Sequence, residues 1–189
     1  MNAQVTTALK RLDNILPLAA GLKLLSNEDA ALYCKLINSY VQQGRTLTRN
    51  EVAALVSNAD QALANIVDSK LIVLDADGNP VGAYPFTSEQ REHRVHVNGI
   101  TTYCMCALDA LSVSCMFAVP TLIDSECRVT KTPVHLEQNG SSFSAGTVDA
   151  WFGINWGAAS TDSVCAASLC MEMMFLANQN VAKNWLAAS

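Results

Sequence analysis

The stretch VHVNGITTYCMCALDALSVSCMF, residues 95–117, decides the fold of the second half of the chain. Apolar residues alternate at Val95 and Val97, the pair Asn98-Gly99 follows, and residues 100–105 continue as an extended run. Asn-Gly between two extended runs is typical of a tight β-hairpin, because both residues tolerate the positive φ angles of its turn. The remainder, ALDALSVSCMF, has the apolar spacing of a helix.

The beginning of the chain is predicted to be helical. Residues 3–25 and residues 29–43 each space their apolar side chains along one face of a helix. Ser26 or Asn27 is expected to cap the second helix. Gly44 is expected to end it, since glycine readily adopts the left-handed conformation found after a helix.

Two shorter helices are predicted to follow. Thr48-x-x-Glu51 is a capping box, in which each side chain bonds to the backbone N–H of the other residue. We expect it to open a helix that runs through residue 56. Asn58 or Asp60 then begins a further amphipathic helix.

A strand and a hairpin turn complete the first half. Residues 71–74 are apolar, and the sequence DADGNP at 75–80 is typical of a tight turn, with Gly78 supplying the positive φ angle. Helix, turn, helix and hairpin together indicate a winged helix. DNA binding is nevertheless disfavoured, because the candidate recognition helix, residues 59–70, carries two aspartates and one lysine and would repel phosphate.

Charge and hydropathy exclude other classes of partner. The chain has 12 lysines and arginines against 17 aspartates and glutamates, a net charge of −5. No basic surface is therefore expected for nucleic acid or for anionic lipid. The longest apolar runs, residues 16–25 and 110–119, are too short to span a bilayer, and no targeting signal is expected.

The cysteine content indicates a reducing compartment. Seven cysteines are an odd number, and half of the residues are hydrophobic, which does not fit a secreted disulfide framework. We therefore expect a cytoplasmic protein with reduced thiols. Free cysteine is among the most buried residue types, and core packing is predicted for three of the seven: Cys34, Cys115 and Cys165.

Strand patterns dominate the later part of the chain. Residues 129–136 form a weak strand interrupted by a proline, residues 148–156 a strand interrupted by glycine, and residues 160–163 a polar turn. An apolar run at 170–177 and a tail helix near residues 181–188 complete the pattern.

Helices first and strands later indicate an α+β fold. We expect two domains. Residues 1–86 are predicted to form a helical, winged-helix-like domain, and residues 87–189 a mixed, mainly antiparallel sheet domain with helices that carries the chemistry.

Cys106 and Asp109 are the sharpest local feature. If a helix begins near Cys106, the thiol and the carboxylate three residues later share a face and can exchange a proton. Unpaired backbone N–H groups and the helix dipole are expected to lower the pKa of the thiol and to prepare it as nucleophile and metal ligand. The alternative is a buried cysteine beside an aspartate on the helix surface.

Three segments with cysteines occur in a particular order. They are Tyr103-x-x-Cys106-Ala-Leu-Asp109-Ala-Leu, then Ser125-Glu-Cys127 with Thr132-Pro133-Val134, then Cys170 with Phe175-Leu176-Ala177. In this order they resemble the active-site segment, the third-cysteine segment and the second active-site cysteine region of the organomercurial (alkylmercury) lyases. The helical first half, with its capping box and hairpin, also resembles that family, so the resemblance covers most of the chain.

This resemblance implies an enzyme that cleaves carbon–mercury bonds by protonolysis and releases a hydrocarbon and Hg(II). Cys106 and Cys170 would bind the mercury of the organomercurial substrate, because thiolates bind soft metals most strongly. Asp109, the third residue of the expected metal site, would take a proton from a thiol and deliver it to carbon. Cys127 would be structural. No organic cofactor is implied, and Hg(II) would leave to a small thiol or to a mercuric reductase.

The sequence departs from the family at several positions. Cys104 lies two residues before Cys106, on the same face of an extended segment. It is expected to act either as a metal relay or as a core residue. Met105 stands where the family usually has tryptophan. Met171 and Glu172 follow Cys170 in place of a second cysteine and a histidine, and the chain ends sooner than in relatives. We expect a changed pocket shape and substrate range, and a more open site.

Other functions fit the same residues less well. A metal or organometal carrier or sensor would use the thiols without needing Asp109, and a winged-helix regulator would need only the fold. A zinc site of Cys104, Cys106, Cys127 and Cys170 is disfavoured because the chain has no C-x2-C pair. Three scattered histidines are expected to be exposed or hydrogen-bonded: His93, His96 and His135.

Overall fold

The computed structural model describes residues 3–16, 18–144, 149–158 and 165–188. Within these ranges the helices are α1 (Ala3–Ile15), α2 (Leu18–Leu24), α3 (Asn27–Gln43), α4 (Arg49–Ala53), α5 (Ala59–Asp68), α6 (Ala107–Phe117) and α7 (Gln179–Ala188). The strands are β1 (Ile72–Leu74), β2 (Pro80–Ala83), β3 (Phe86–Thr87), β4 (His93–Val97), β5 (Ile100–Cys104), β6 (Thr121–Glu126), β7 (Pro133–Asn139), β8 (Ser142–Phe143), β9 (Trp151–Ile154) and β10 (Met173–Leu176). The α+β prediction is confirmed.

Eight of the strands form one sheet in the order β1-β2-β3-β5-β4-β6-β7-β8. Every neighbouring pair in this sheet is antiparallel. Strands β9 and β10 form a second, two-stranded antiparallel sheet. A parallel bridge between Cys127 and Phe175 links the end of β6 to β10. The prediction of a mainly antiparallel sheet is therefore confirmed.

The β4–β5 hairpin forms as its sequence predicts. Asn98 and Gly99 have φ angles of 51° and 75°, the positive values that the turn needs. Val97 pairs with Ile100 across the turn, and the alternating Val95 and Val97 are both buried. Helix α6 follows β5 directly and packs across β4, β5, β6 and β7. The hairpin thus leads the chain to the start of α6 over the sheet.

Helix α3 organises the core of the first part. Ser26 caps it by accepting a hydrogen bond from the backbone N–H of Asp29, and Gly44 ends it with a φ angle of 74°. Its buried face packs on α5, β2 and β5. Tyr40 stacks on Phe86 of β3, with 5.1 Å between the ring centroids. Both predicted caps are confirmed.

The single helix predicted for residues 3–25 is wrong, because two helices are present. Helix α1 ends at Ile15 and α2 begins at Leu18. Pro17 lies between them in the sequence. Proline breaks a helix because it has no backbone N–H to donate and restricts the conformation of the residue before it. Pro17 itself lies outside the described residues.

The capping box of α4 is present, but the helix is shorter than predicted. The Thr48 side chain accepts from the backbone N–H of Glu51, and the Glu51 carboxylate accepts from that of Thr48. The helix ends at Ala53 rather than at residue 56. The chain has to turn here, because Asn58 already caps α5.

Strand β6 is not predicted from the sequence, because its polar residues interrupt the alternation of apolar and polar residues that is typical of a strand. The following strand, β7, begins at Pro133 and does not include Val129. A proline is tolerated at this first position because it need not donate to the ladder. Of the later predictions, residues 160–163 and Val148 lie outside the described residues.

The sheet continues across residue 86, since β3 spans Phe86–Thr87 and pairs with both β2 and β5. The division into domains at residues 1–86 and 87–189 stays a prediction. Among the described residues, none of the helices is both long and apolar enough to cross a membrane.

Candidate active site

Cys106 stands at the junction between β5 and α6. Its extended backbone, with φ −154° and ψ 176°, makes it the N-cap of the helix, and its sulfur accepts a hydrogen bond of 3.3 Å from the backbone N–H of Asp109. In return the thiol donates to Oδ2 of Asp109 over 2.9 Å. A cysteine here takes the place of the serine or threonine usual at an N-cap. The first turn of α6 thus holds thiol and carboxyl together.

Cys170 reaches the same place from a distant part of the chain. It lies in a 3₁₀ turn, Leu169–Glu172, immediately before β10, which packs against α6. One ligand atom from each of Cys106, Asp109 and Cys170 lies within 4.8 Å of the others. The Cys170 sulfur is 3.9 Å from Oδ2 of Asp109. The structure therefore brings the three predicted site residues together.

Cys127 helps to fix the position of β10. It is fully buried, bridges Phe175, and its sulfur accepts a hydrogen bond from the backbone N–H of Thr130. The backbone N–H of Arg128 also donates to the carbonyl of Phe175 over 3.2 Å. These contacts are consistent with the structural role expected for Cys127.

Burial dominates the electrostatics of the site. Cys106, Asp109 and Cys170 are only 1%, 7% and 2% exposed. Burial raises the pKa of Asp109 to about 7, although hydrogen bonds from both thiols oppose the shift. At neutral pH this carboxyl group therefore exists in both protonation states, which suits a group that accepts and donates protons.

The expected lowering of the Cys106 pKa is wrong. Burial raises the pKa of this thiol to about 12, and the backbone hydrogen bond at the helix N-terminus offsets only part of the effect. Hydrogen bonding with Cys106, together with burial, also raises the pKa of Cys170. Without a metal both groups are thiols, because removing water penalises the thiolate more than the helix stabilises it.

Further sulfur atoms surround the three residues. The Cys106 sulfur lies 3.6 Å from Sδ of Met173, and the Cys170 sulfur lies 3.5 Å from that of Cys165. Cys165 was predicted to fill the core and is indeed buried, but its contact with Cys170 was not foreseen. The C-x4-C spacing of the two cysteines was its only sequence signal.

Tyr84 connects the site to the first half of the chain. Its hydroxyl lies 4.0 Å from the Cys170 sulfur, and its backbone carbonyl accepts a 2.7 Å hydrogen bond from the Tyr33 hydroxyl of α3. Burial raises the pKa of both tyrosines. Both therefore stay neutral and contribute packing and orientation.

The remaining cysteines lie apart from this group. Cys104 is fully buried in the main core, and burial raises its pKa well above the usual value. Core packing was predicted for Cys34 and Cys115, and this is wrong, since both are exposed. Cys34 lies on the solvent-facing side of α3 and Cys115 on that of α6, where a small residue is tolerated. Among the described residues, Cys104 and Cys127 do not join the candidate metal group, so the zinc alternative has no support.

Among the described residues no histidine joins the candidate metal group, although His93 lines the cavity beside Cys170. His93 is buried, with Nδ1 2.8 Å from Oγ of Ser125. His96 and His135 both contact the carboxylate of Asp124, over 2.7 and 2.6 Å. These contacts match the expectation of hydrogen-bonded histidines.

A cavity of about 300 Å³ gives access to the site. Cys170 and Met105 line it, together with the charged residues Arg91, Glu92 and Arg128. Arg128 pairs with Glu92, so opposite charges offset each other at the opening. A small ligand that enters this cavity meets Cys170.

Comparison with known proteins identifies the family. Residues 86–189 match the family model described as MerB, alkylmercury lyase. A solved structure described as the mercury-bound form of MerB2 superposes with a TM-score of 0.74 at 18% identity, over 91% of this chain and 84% of that one. No curated protein matches the sequence. The family model spans more than half of the chain, which therefore belongs to the alkylmercury lyase family.

Proposed function

We propose that Cys106, Cys170 and Asp109 carry out the carbon–mercury lyase reaction of this family. One observation supports the assignment above all: two thiols and a carboxyl group converge within 4.8 Å in a buried place. Thiolates bind a soft cation such as an organomercurial, and a buried carboxyl group can move a proton.

In the first step the organomercurial exchanges its thiolate partner for Cys170, which lines the cavity. The Cys170 sulfur bonds to mercury, and the departing thiolate takes up the Cys170 proton. The carbon–mercury bond remains intact. Bonding to mercury overcomes the raised pKa of the thiol, because the metal replaces the proton on sulfur.

In the second step Cys106 bonds to the same mercury. Its S–H group already donates to Asp109 over 2.9 Å, so the carboxylate receives that proton as the sulfur–mercury bond forms. Asp109 then delivers the proton to carbon, the carbon–mercury bond breaks, and the hydrocarbon leaves. Hg(II) remains between the two sulfurs, and Asp109 returns to its carboxylate form.

The buried setting favours this sequence. Two thiolates donate electron density to mercury and weaken its bond to carbon, while the burial of Cys106 and Asp109 shields the proton on its path between them. The proposed reaction uses no organic cofactor, because the protein supplies both thiols and the proton shuttle. An external small thiol, or a mercuric reductase, would accept the Hg(II).

The test uses reduced protein, a simple organomercurial and excess small thiol, with released hydrocarbon measured by gas chromatography. We expect turnover, and its loss in Cys106→Ser and in Cys170→Ser. The matched control is Cys34→Ser with Cys115→Ser, which removes two exposed thiols and should leave turnover unchanged. Stoichiometric mercury uptake without hydrocarbon would instead identify a carrier.

For the first half of the chain we propose a winged-helix-like domain that does not bind DNA. Helices α3, α4 and α5 followed by the β1–β2 hairpin have the required order. Helix α5 carries Asp60 and Asp68 without a basic residue, and Arg49 nearby is paired with Asp60. We expect no retardation of duplex DNA in a gel at low salt, where electrostatic binding is strongest.

We also propose that the protein works in the cytoplasm. All seven cysteines are free, and the proposed reaction needs Cys106 and Cys170 as thiols. A reducing compartment supplies both that state and the external thiol acceptor. Fractionation of cells that express the tagged chain would test this location.

A further inference from the structure

Cys165 belongs to the sulfur cluster of the site. It begins a 3₁₀ turn, Cys165–Ala167, and successive hydrogen bonds fold the chain from here to Cys170: Ser168 N–H donates to the Cys165 carbonyl, and Met171 N–H to that of Ser168. This folding brings the sulfurs of Cys165 and Cys170 to within 3.5 Å. The contact is built into the local backbone.

The Cys170 sulfur lies within 4.8 Å of the Cys106 sulfur and 3.5 Å from the Cys165 sulfur. Sδ of Met173 lies 3.6 Å from the Cys106 sulfur. The exposed fraction of the residue is 1% for Cys106, 2% for Cys170 and 8% for Cys165. Cys106 is therefore the most buried of the three cysteines, and Cys170 is the one that lines the cavity.

We propose that Cys165 is a third mercury ligand, which takes over the product ion from Cys106 and passes it outward. The proposal rests on the roles assigned above to Cys106 and Cys170. It gives Cys165 a function in product release, distinct from cleavage of the carbon–mercury bond.

The exchange balances without any further reactant. A sulfur–mercury bond forms at Cys165 while its S–H bond breaks, and the sulfur–mercury bond at Cys106 breaks while its S–H bond forms. Cys170 holds the ion throughout. One proton moves from Cys165 to Cys106, the charge of the site is unchanged, and neither oxidation nor reduction takes place.

Such a step helps release because it takes the ion off Cys106, the most buried of the three cysteines. Stepwise exchange keeps two sulfur–mercury bonds at every stage, so the ion is never poorly coordinated. It also restores the hydrogen-bonded pair of Cys106 and Asp109 before the ion has left. The external thiol then meets the ion beside the cavity that Cys170 lines.

A binding experiment tests whether Cys165 is a ligand. All variants carry Cys34→Ser and Cys115→Ser, to remove exposed thiols that would bind mercury on their own. Reduced Cys106→Ser protein receives one equivalent of mercuric chloride, and X-ray absorption counts the sulfurs on mercury. We expect two. Adding Cys165→Ser should leave one sulfur on mercury and weaken the binding of Hg(II) by roughly a hundred-fold. An unchanged sulfur count and affinity would overturn the proposal.

A kinetic experiment separates release from cleavage. We make both Cys165→Ser and Cys165→Ala. The kinetics are measured on whichever of the two keeps the melting temperature of the parent protein. Transfer of Hg(II) to dithiothreitol should slow about ten-fold, and single-turnover hydrocarbon formation should slow by a smaller factor. Unchanged transfer, or equal slowing of both steps, would overturn the relay. Hydrocarbon release by Cys106→Ser or Cys170→Ser would instead overturn the proposed cleavage mechanism, whatever Cys165 does.

Discussion

The thiol of Cys106 donates a 2.9 Å hydrogen bond to Oδ2 of Asp109, while the backbone N–H of Asp109 donates to the same sulfur. The second of these bonds is the N-cap bond of α6, and the first joins the cap side chain to the carboxyl group three residues later. Starting the helix therefore also places the proposed proton carrier beside the proposed mercury ligand. Cys170 belongs to a distant segment of the chain and reaches this pair because β10 packs against α6.

Asp109→Asn should abolish most cleavage while sparing mercury binding. The amide still accepts a hydrogen bond from Cys106, but it cannot carry a proton to carbon. We expect the single-turnover rate to fall about 10²–10⁴-fold, the range for loss of a positioned acid or base. Stopped reactions analysed for hydrocarbon, together with a mercury-binding titration, measure the two effects. Asp68→Asn, an exposed change of the same charge, serves as control. A rate close to that of the parent would contradict the proton-carrier role.

The pH dependence of cleavage should follow the ionisation of Asp109. Its pKa is raised to about 7 by burial, and the proposed mechanism needs the carboxylate to receive the Cys106 proton. The carboxylate fraction falls below pH 7, so the single-turnover rate should fall about ten-fold for each further pH unit. This acid limb should be missing from the residual activity of Asp109→Asn. A flat profile from pH 5 to pH 8 would exclude Asp109 as the group that accepts the proton.

The same ionisation affects the free energy of unfolding. The pKa of Asp109 is higher in the folded state, about 7, than the usual value of 3.8, so the folded state holds this proton more tightly. The resulting stabilisation is complete below about pH 4 and is lost as the pH rises through 7. Asp109→Asn avoids this loss. The free energy of unfolding of Asp109→Asn minus that of the parent should increase by about 1–4 kcal/mol from pH 4 to pH 8, as measured by urea denaturation. An equal difference at both pH values would contradict the buried ionisation.

Sequence reasoning was most successful where the deciding interactions are local. The turn at Asn98-Gly99, the Ser26 cap and the Thr48 capping box each depend on residues a few positions apart, and all are present. The spacing of Cys106 and Asp109 belongs to the same class. It placed the thiol and the carboxyl together without any knowledge of the sheet.

Local sequence patterns did not predict burial or contacts between distant parts of the chain. The pKa of Cys106 rises rather than falls, because desolvation depends on everything that packs around the thiol. Cys170 was assigned by family resemblance, since its meeting with Cys106 depends on how β10 packs against α6. The exposure of Cys34 and Cys115 likewise depends on which helix face meets the core. Strand β6 was missed because polar residues interrupt its pattern.

Helices α1 and α2 contribute side chains to the apolar cluster around the site, and Gly21 is the buried residue of α2. A Cβ atom at Gly21 would lie 2.2 Å from the backbone carbonyl oxygen of Ser69. Backbone cannot move aside as a flexible side chain can, so Gly21→Ala must shift α2. Leu12 of α1 is buried in the same apolar cluster as Cys106 and Cys170, and displacement of α2 should loosen its packing there.

Gly21→Ala should therefore destabilise the protein and expose the thiols of the site. We expect a loss of about 1–3 kcal/mol in the free energy of unfolding, the usual range for overpacking. The buried thiols should also react faster with a chromogenic disulfide reagent under native conditions. Ala20→Ser changes an exposed neighbour in the same helix and should alter neither measurement. A stable Gly21→Ala protein with unchanged thiol reactivity would show that α2 does not hold the enclosure shut. Access to Cys106 would then depend on the cavity beside Cys170 alone.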